Sequence, residues 1–434
     1  MNFICDNIAV NAEGNLTFAG QDTVALAEKY GTPLYLLDEN KIREKCSCFL
    51  NAFRKYFPEG SLPLYASKAN SFRQIYRIMS EMGLGIDVVS GGEIYTAEQA
   101  GFDLSKAYFH SNNKTDEEIG FAMDKNVGYF VVDHQSELEE IQKQAADHGI
   151  LQKILLRVTP GIDPHTYEKV NTGMVDSKFG SAIETGQADS IVRSALTMKN
   201  ISLRGFHCHV GSQVFEEDVF ERTAAVMLDF CWDMYRKYGY ETKELDLGGG
   251  FGVAYTEKQK SPDIDAKIKA IAGVVYATCE KYHMPCPVMH MEPGRSIVAD
   301  AGMTLYTVGN VKKIISYRNY VSVDGGMTDN PRYALYGSEY TCCIANRMTE
   351  ENRMECSLVG RCCESGDIIQ PGIRLPETTA KGDIAAVCTT GAYNYSMASN
   401  YNRICRPAIV MLKDGDSYVA VRRETYADLC ACDL

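Results

Sequence analysis

Lys68 lies in the run Tyr65-Ala66-Ser67-Lys68-Ala69-Asn70, a lysine among small residues at the end of an apolar stretch. Partial removal from water there would lower its pKa and free the amine for Schiff-base chemistry. The plainer reading is a rim lysine paired with Asp87 or Glu292. Three successive glycines, Gly248, Gly249 and Gly250, follow Asp246-Leu247. Without Cβ atoms they let the backbone come close to a ligand and aim successive N–H groups at it, which suits a phosphate; a flexible turn has the same composition. Pyridoxal 5′-phosphate accounts for both features at once, because it needs an amine to carry it and a cradle for its phosphate. It also works best with a carboxylate beside its ring nitrogen, and Glu292 is the candidate. In His207-Cys208-His209-Val210-Gly211-Ser212, His209 is the candidate to stack on the ring and Ser212 to approach the phosphate. Only one of His207 and His209 is expected to look inward, so no metal pair is expected there.

These residues need a scaffold that brings them to one place. Between residues 63 and 292, short β-branched or aromatic runs alternate with longer stretches of helical period, the rhythm of a parallel sheet. The predicted strands are Leu62–Ala66, Gly85–Val89, Lys106–His110, Tyr129–Val132, Lys153–Val158, Leu203–His209, Glu244–Leu247 and Pro287–Met291, with helices such as Gln74–Glu81, Glu93–Ala100, Glu137–His148 and Phe220–Tyr238 between them. Eight strands over about 230 residues is the count and size of a (β/α)8 barrel. In that fold the chemistry sits at the C-terminal ends of the strands. The unusual residues collect there: Lys68, Asp87, His110 to Asn113, Asp133, Arg157, His209 with Ser212, the three glycines, and Glu292-Pro293-Gly294-Arg295.

After Pro293 the texture changes to runs such as Thr304–Val308, Tyr320–Val323, Ile384–Thr389 and Ile409–Leu412. Ala408–Lys413 and Ser417–Arg422, joined by Asp414-Gly415-Asp416, read as a hairpin. We expect a barrel over residues 36–293 and a β-rich sandwich or barrel domain formed by residues 294–434. The first 35 residues are expected to join that domain, the alternative being to cover the barrel bottom.

The chain has 434 residues, 44 Lys and Arg against 57 Asp and Glu, and a formal charge of −13. That balance argues against nucleic acid or an anionic membrane as the main partner. No apolar run reaches the length of a membrane-spanning helix, and the N-terminus has no basic flank before an apolar core. A cytosolic protein is expected. Its 16 cysteines are scattered through a long chain and lack zinc-like spacing, so most are expected to be reduced and no metal is expected.

Taken together, Ala66-Ser67-Lys68-Ala69-Asn70, Asp87-Val88-Val89-Ser90-Gly91-Gly92-Glu93, His207 to Gln213, Asp246 to Gly252 and Glu292-Pro293-Gly294-Arg295-Ser296 resemble the pyridoxal-phosphate decarboxylases of the alanine-racemase fold. Arg157-Val158-Thr159-Pro160-Gly161, Ser177-Lys178-Phe179-Gly180, Cys363-Glu364-Ser365-Gly366-Asp367, Gly391-Ala392-Tyr393 and Ser396-Met397-Ala398-Ser399 make the chain most similar to the diaminopimelate decarboxylases within that group. The resemblance runs in order from about residue 30 to 407.

It implies an alanine-racemase-type barrel with Lys68 holding pyridoxal 5′-phosphate, and with Asp87, His209, Ser212, Gly248, Gly249, Gly250, Glu292, Gly294, Arg295 and Tyr393 around the cofactor. The implied reaction is decarboxylation of meso-2,6-diaminopimelate at its D-configured carbon to L-lysine and carbon dioxide, the last step of lysine biosynthesis, with Cys363 reprotonating the carbon. Arg295, Arg332 and Tyr336 would hold the distal carboxylate, Glu364 the distal ammonium, and Tyr393 the phosphate or substrate. The Cys-Glu segment is implied to reach the site of a second subunit, giving a homodimer. This chain departs from the usual pattern at Val359-Gly360-Arg361-Cys362-Cys363, where two adjacent cysteines compete for the role of proton donor; Cys363 is chosen because it directly precedes Glu364. Decarboxylation of ornithine, arginine or carboxynorspermidine is the alternative on the same fold. A racemase or a non-enzymatic regulator is a more distant one.

Overall fold

Eight apolar runs extend as strands in the computed structural model, which describes residues 3–162 and 177–434. They are β1 (Leu62–Ala66), β2 (Gly85–Val88), β3 (Ala107–Phe109), β4 (Tyr129–Val132), β5 (Gln152–Thr159), β6 (Ile201–His207), β7 (Glu244–Asp246) and β8 (Val288–Met291). Each pairs in parallel with the next, β8 returns to β1, and the barrel is closed. The strands read as near-continuous apolar runs because both of their faces are covered. Seven helices make the crossovers: α1 (Arg73–Met82), α2 (Gly91–Gln99), α3 (Asp116–Asp124), α4 (Gln135–Asp147), α5 (Gln187–Ala195), α6 (Val219–Tyr238) and α7 (Ile264–Tyr282).

Local chemistry sets where these helices begin and end. Thr115 and Glu118 form a reciprocal capping box at the start of α3, satisfying N–H groups that have no partner within the helix. Ser90 accepts from Glu93 N–H at α2, and Gly83 and Gly239 close α1 and α6 in the left-handed conformation that glycine adopts at no steric cost. Strand β6 carries a bulge between Leu203 and Gly205, and a Cβ on Gly205 would lie 1.7 Å from the carbonyl oxygen of Glu244. It ends at His207, two residues before the predicted end.

The described residues divide into two units, one lying within 45–252 and 261–294, the other within 1–44, 253–260 and 295–434. The second unit thus takes residues 36–44, which the sequence reading groups with the barrel, and an excursion at Val253–Lys260 that the sequence does not announce. It contains β9 (Gly302–Ile314), β10 (Arg318–Val323), β11 (Asn352–Val359), β12 (Ile368–Pro376), β13 (Ile384–Cys388), β14 (Ala408–Lys413) and β15 (Asp416–Val421). The sheet order is β12-β11-β10-β9, then the strand Leu34–Asp38, then β14-β15. Strand β13 pairs with β9 and with the short strand Cys342–Ile344.

The predicted hairpin is β14–β15. Its two-residue turn, Asp414-Gly415, has φ of +51° and +86°, and the opposed pair Lys413–Asp416 closes it. Leu16, Phe18 and Leu26 share a buried core with Leu34, Leu36, Met303, Leu305, Ala386, Val410 and Leu412. The N-terminal segment therefore joins the β-rich unit. No helix of the described residues is long and apolar enough to cross a membrane.

Candidate active site

The barrel mouth holds most of the predicted cofactor residues. A single 3₁₀ turn, Ser67–Ala69, follows β1 and carries Lys68. Its Nζ lies 3.0 Å from Oδ2 of Asp87, which is buried at the end of β2. The lysine side chain is 41% exposed, so the expected desolvation is not what sets it apart; the ion pair with a buried carboxylate is. Gly294 lets the loop after β8 close on this turn, since a Cβ there would meet those of Ala66 and Ala69 at 2.9 and 3.0 Å. Glu93, which accepts the Val89 N–H at 2.8 Å, is pushed up to about 7 by burial and by the charge of Asp87, with Val89 and Lys68 opposing.

The glycine loop after β7 is required by packing as well as by any ligand. A Cβ on Gly248, Gly249 or Gly250 would lie 2.4, 2.1 or 2.2 Å from the carbonyl oxygens of Cys208, Glu292 and Gly211 respectively, and Gly248 and Gly250 have φ of +70° and +117°. The expectation of successive N–H groups aimed at a phosphate needs correction here. Gly248 N–H donates to Oδ1 of Asp246 at 2.8 Å and Gly249 N–H to Nδ1 of His209 at 3.2 Å. The loop after β6 is tied to the same place, with Val214 N–H donating to Gly250 O at 2.9 Å, and this puts half-buried Ser212 beside the glycines.

The expectation that only one of His207 and His209 looks inward also fails. Residues two apart on a strand share a face, and here β6 stops at His207, after which His209 turns to the glycine loop. His207 is fully buried, and its Nε2 lies 3.2 Å from Oε1 of Glu292. His110, directly after β3, brings its Nε2 to 2.9 Å from the same oxygen. Burial pushes Glu292 upward, but the two imidazoles outweigh it and hold the carboxyl well below its usual range. Burial lowers His207 to about 4 and takes His209 well below the ordinary histidine value, so both rings are neutral near pH 7. Sequence reasoning gave no role to His110 or His207 toward Glu292. Their signal was position alone, each at the C-terminal end of a barrel strand. His110, His207 and Glu292 are also the one group of described residues whose ligand atoms, all within 4.8 Å, could hold a metal ion.

In the β-rich unit, Arg295 and Arg332 are both buried. Arg295 donates to the Tyr255 hydroxyl at 2.7 Å, and its guanidinium lies 4.6 Å from the Tyr393 ring centre. Arg332 lies 5.4 Å from the Tyr393 ring, 5.6 Å from that of Tyr336 and 6.0 Å from that of Tyr255, and it donates to Ser338 Oγ at 3.2 Å. The Nε of Arg332 is buried without a hydrogen-bond partner among the described residues. Two guanidinium groups around tyrosine rings can take a carboxylate through their forked N–H donors. Tyr255 and Tyr340, whose rings meet edge to face at 5.4 Å, complete the cluster and were not foreseen. Tyr255 lies in the Val253–Lys260 excursion, which has no sequence signature.

Cys363 and Glu364 are exposed. Cys363 N–H donates to Asn402 Oδ1 at 2.8 Å, and Glu364 accepts from Gly366 N–H at 3.1 Å. The neighbouring Cys362 is half-buried, its N–H held by Asp367 at 2.7 Å, and burial with the charge of Asp367 pushes its thiol up to about 11.

Residues 39–299 match the family described as pyridoxal-dependent decarboxylase, pyridoxal binding domain. Diaminopimelate decarboxylase of Bacillus subtilis is 43% identical over 424 residues, covering 98% of this chain and 96% of the relative. That of Staphylococcus aureus is 40% identical, covering 98% and 99%. The crystal structure of diaminopimelate decarboxylase from M. jannaschii in co-complex with L-lysine superposes with a TM-score of 0.91 at 34% identity, over 100% of this chain and 99% of that one. With an ion-paired lysine and a charged, buried carboxylate at the mouth of a parallel barrel, and full-length likeness to these proteins, the chain belongs to the diaminopimelate decarboxylase family of pyridoxal-dependent decarboxylases.

Proposed function

We propose that this chain converts meso-2,6-diaminopimelate to L-lysine and carbon dioxide with pyridoxal 5′-phosphate. The observation that carries the substrate is the buried Arg295 and Arg332 pair around Tyr393. An amino acid with a second carboxylate has use for two forked cations; ornithine does not. The donor set also fits the cofactor: an amine held by a buried acid, a carboxylate that keeps its charge, a neutral imidazole, and glycine backbone packed too closely for any Cβ.

When bound, pyridoxal phosphate supplies the electron sink for the pair left behind by carbon dioxide. Lys68 provides the amine that carries it, and Asp87 orients that amine. Glu292 would keep a negative charge for the ring nitrogen, His209 would lie against the ring, and Ser212, the glycine loop, Gly294 and Tyr393 would hold the phosphate side. Arg295, Arg332 and Tyr336 bind the distal carboxylate, Glu364 binds the distal ammonium, and the Cys363 thiol delivers a proton to the carbon that lost its carboxylate. Purified protein incubated with the cofactor and meso-diaminopimelate should release L-lysine. Turnover of ornithine in preference would sink the substrate assignment while leaving the fold intact.

A homodimer with shared sites belongs to the same reading, supported by the exposure of Cys363 and Glu364 on a segment with catalytic residue types. If each site takes Cys363 from the other copy, mixing inactive Lys68→Ala and Cys363→Ala proteins restores up to about a quarter of wild-type activity, from the one intact site in each mixed dimer. Recovery of no activity after verified subunit exchange counts against sharing. A reducing, cytoplasmic location is proposed as well, supported by 16 cysteines that remain thiols.

A further inference from the structure

Glu292 is 4% exposed, and an isolated charge so deep in a barrel is costly unless donors surround it. The imidazoles of His110 and His207 bring Nε2 to 2.9 and 3.2 Å from one carboxylate oxygen, with ring centres 4.8 Å apart and planes at 69°. They come from the ends of β3 and β6, so two separate strands fix the same oxygen from different directions. Behind them lies Asp246 on β7, fully buried and in register with His207. Burial and then the charge of Glu292 push Asp246 well above the usual carboxylate range. Two neighbouring buried acids cannot both ionise. Here the charge falls on Glu292 and the proton on Asp246. His207, neutral through burial, faces Glu292 with Nε2 at 3.2 Å, so that the dipole of an Nε2–H rather than a positive charge acts on the carboxylate. The other titratable groups facing this cluster are Asp87, Lys68, Arg157, Cys208 and His209.

We propose that His110 and His207 are positioning residues that fix the orientation and the ionised state of Glu292, so that a carboxylate rather than a carboxylic acid meets the cofactor ring nitrogen. The inference rests on the pyridoxal phosphate reading of the site. Removing an imidazole takes away a polar group in close contact with the carboxylate, and Glu292 then takes up a proton at higher pH. Glutamine can present an N–H near the Nε2 position; leucine cannot.

The test titrates pyridoxal 5′-phosphate into cofactor-stripped wild-type, His110→Leu, His207→Leu, His110→Gln and His207→Gln proteins from pH 5 to 8, following bound-cofactor absorbance and the dissociation constant. The leucine variants should bind roughly ten-fold or more weakly, and their loss of binding on acidification should begin at higher pH. The glutamine variants should recover much of both effects. Folded leucine variants with wild-type affinity and pH profile would overturn the proposal. Because a leucine variant could fail to fold, ¹⁵N-histidine spectra of the stripped wild-type protein give a second, independent reading. His207 should hold the neutral Nε2–H tautomer down to about pH 4; titration near the ordinary histidine value, or an Nδ1–H tautomer, would overturn the proposal without any variant. Failure of the wild-type protein to bind the cofactor would instead remove the pyridoxal reading, and this role of the histidines with it.

Discussion

His207 shows how one buried side chain couples the site to acid stability. Its folded value is lowered by burial from 6.5 to about 4, so below pH 6.5 the unfolded chain binds a proton that the native protein refuses. This contribution to stability is present above pH 6.5 and is lost as pH falls toward 4, about 3 kcal/mol across that window. Denaturant titrations at several pH values should show that loss in the wild-type protein and a shallower pH slope in His207→Gln; equal slopes would mean that His207 is protonated in the native state. The adjacent thiols at 362 and 363 make a second case. The half-buried Cys362, with its raised pKa and its backbone held by Asp367, is a poor proton donor compared with exposed Cys363. Cys363→Ala should therefore cut lysine formation by roughly 10²-fold or more, while Cys362→Ala should stay near wild type. The reverse ranking would move the proton donor to Cys362.

At the scale of elements, the loop after β7 is over-determined by its neighbours. A methyl on Gly249 would sit 2.1 Å from the Glu292 carbonyl oxygen, backbone that cannot give way without moving the carboxylate. Gly249→Ala should cost about 1–3 kcal/mol of stability and weaken cofactor binding together; a variant with unchanged melting temperature and cofactor affinity would show that the loop relaxes freely. The eight barrel strands were legible because closed parallel strands are covered on both faces and stand out as apolar runs against helical period. Leu62–Ala66 and Tyr129–Val132 match the predicted bounds to the residue. Less legible was what meets at the mouth. His110 and His207 are 97 positions apart in sequence yet touch one carboxylate, and only closure of the barrel makes them neighbours.

At the scale of the whole molecule, the β-rich unit draws on three separated stretches of chain, residues 1–44, 253–260 and 295–434. Composition cannot announce such an arrangement, because each stretch alone reads as an ordinary strand or loop. The strand Leu34–Asp38 runs antiparallel to β9, with Leu34 opposite Leu305, and parallel to β14, with Leu34 opposite Ala408. Without it, β9 and β14 would each expose an unpaired edge. A fragment of residues 295–434 should thus fail to give a cooperative unfolding transition, and adding residues 1–44 as a separate peptide should restore one. A fragment that folds cooperatively alone would show that the strand is dispensable.

The same strand sets an order of events during synthesis. Leu34–Asp38 leaves the ribosome well before Ala408–Lys413, one of its two partners. The stretch that builds the barrel is finished in between, so that unit can close while the early strand is still waiting with its hydrogen-bonding edges open. Pairing across so long a separation in sequence is slow and exposed to aggregation, and a cell that makes this protein quickly must shield an apolar strand, Leu-Tyr-Leu-Leu, until its later partner has been made.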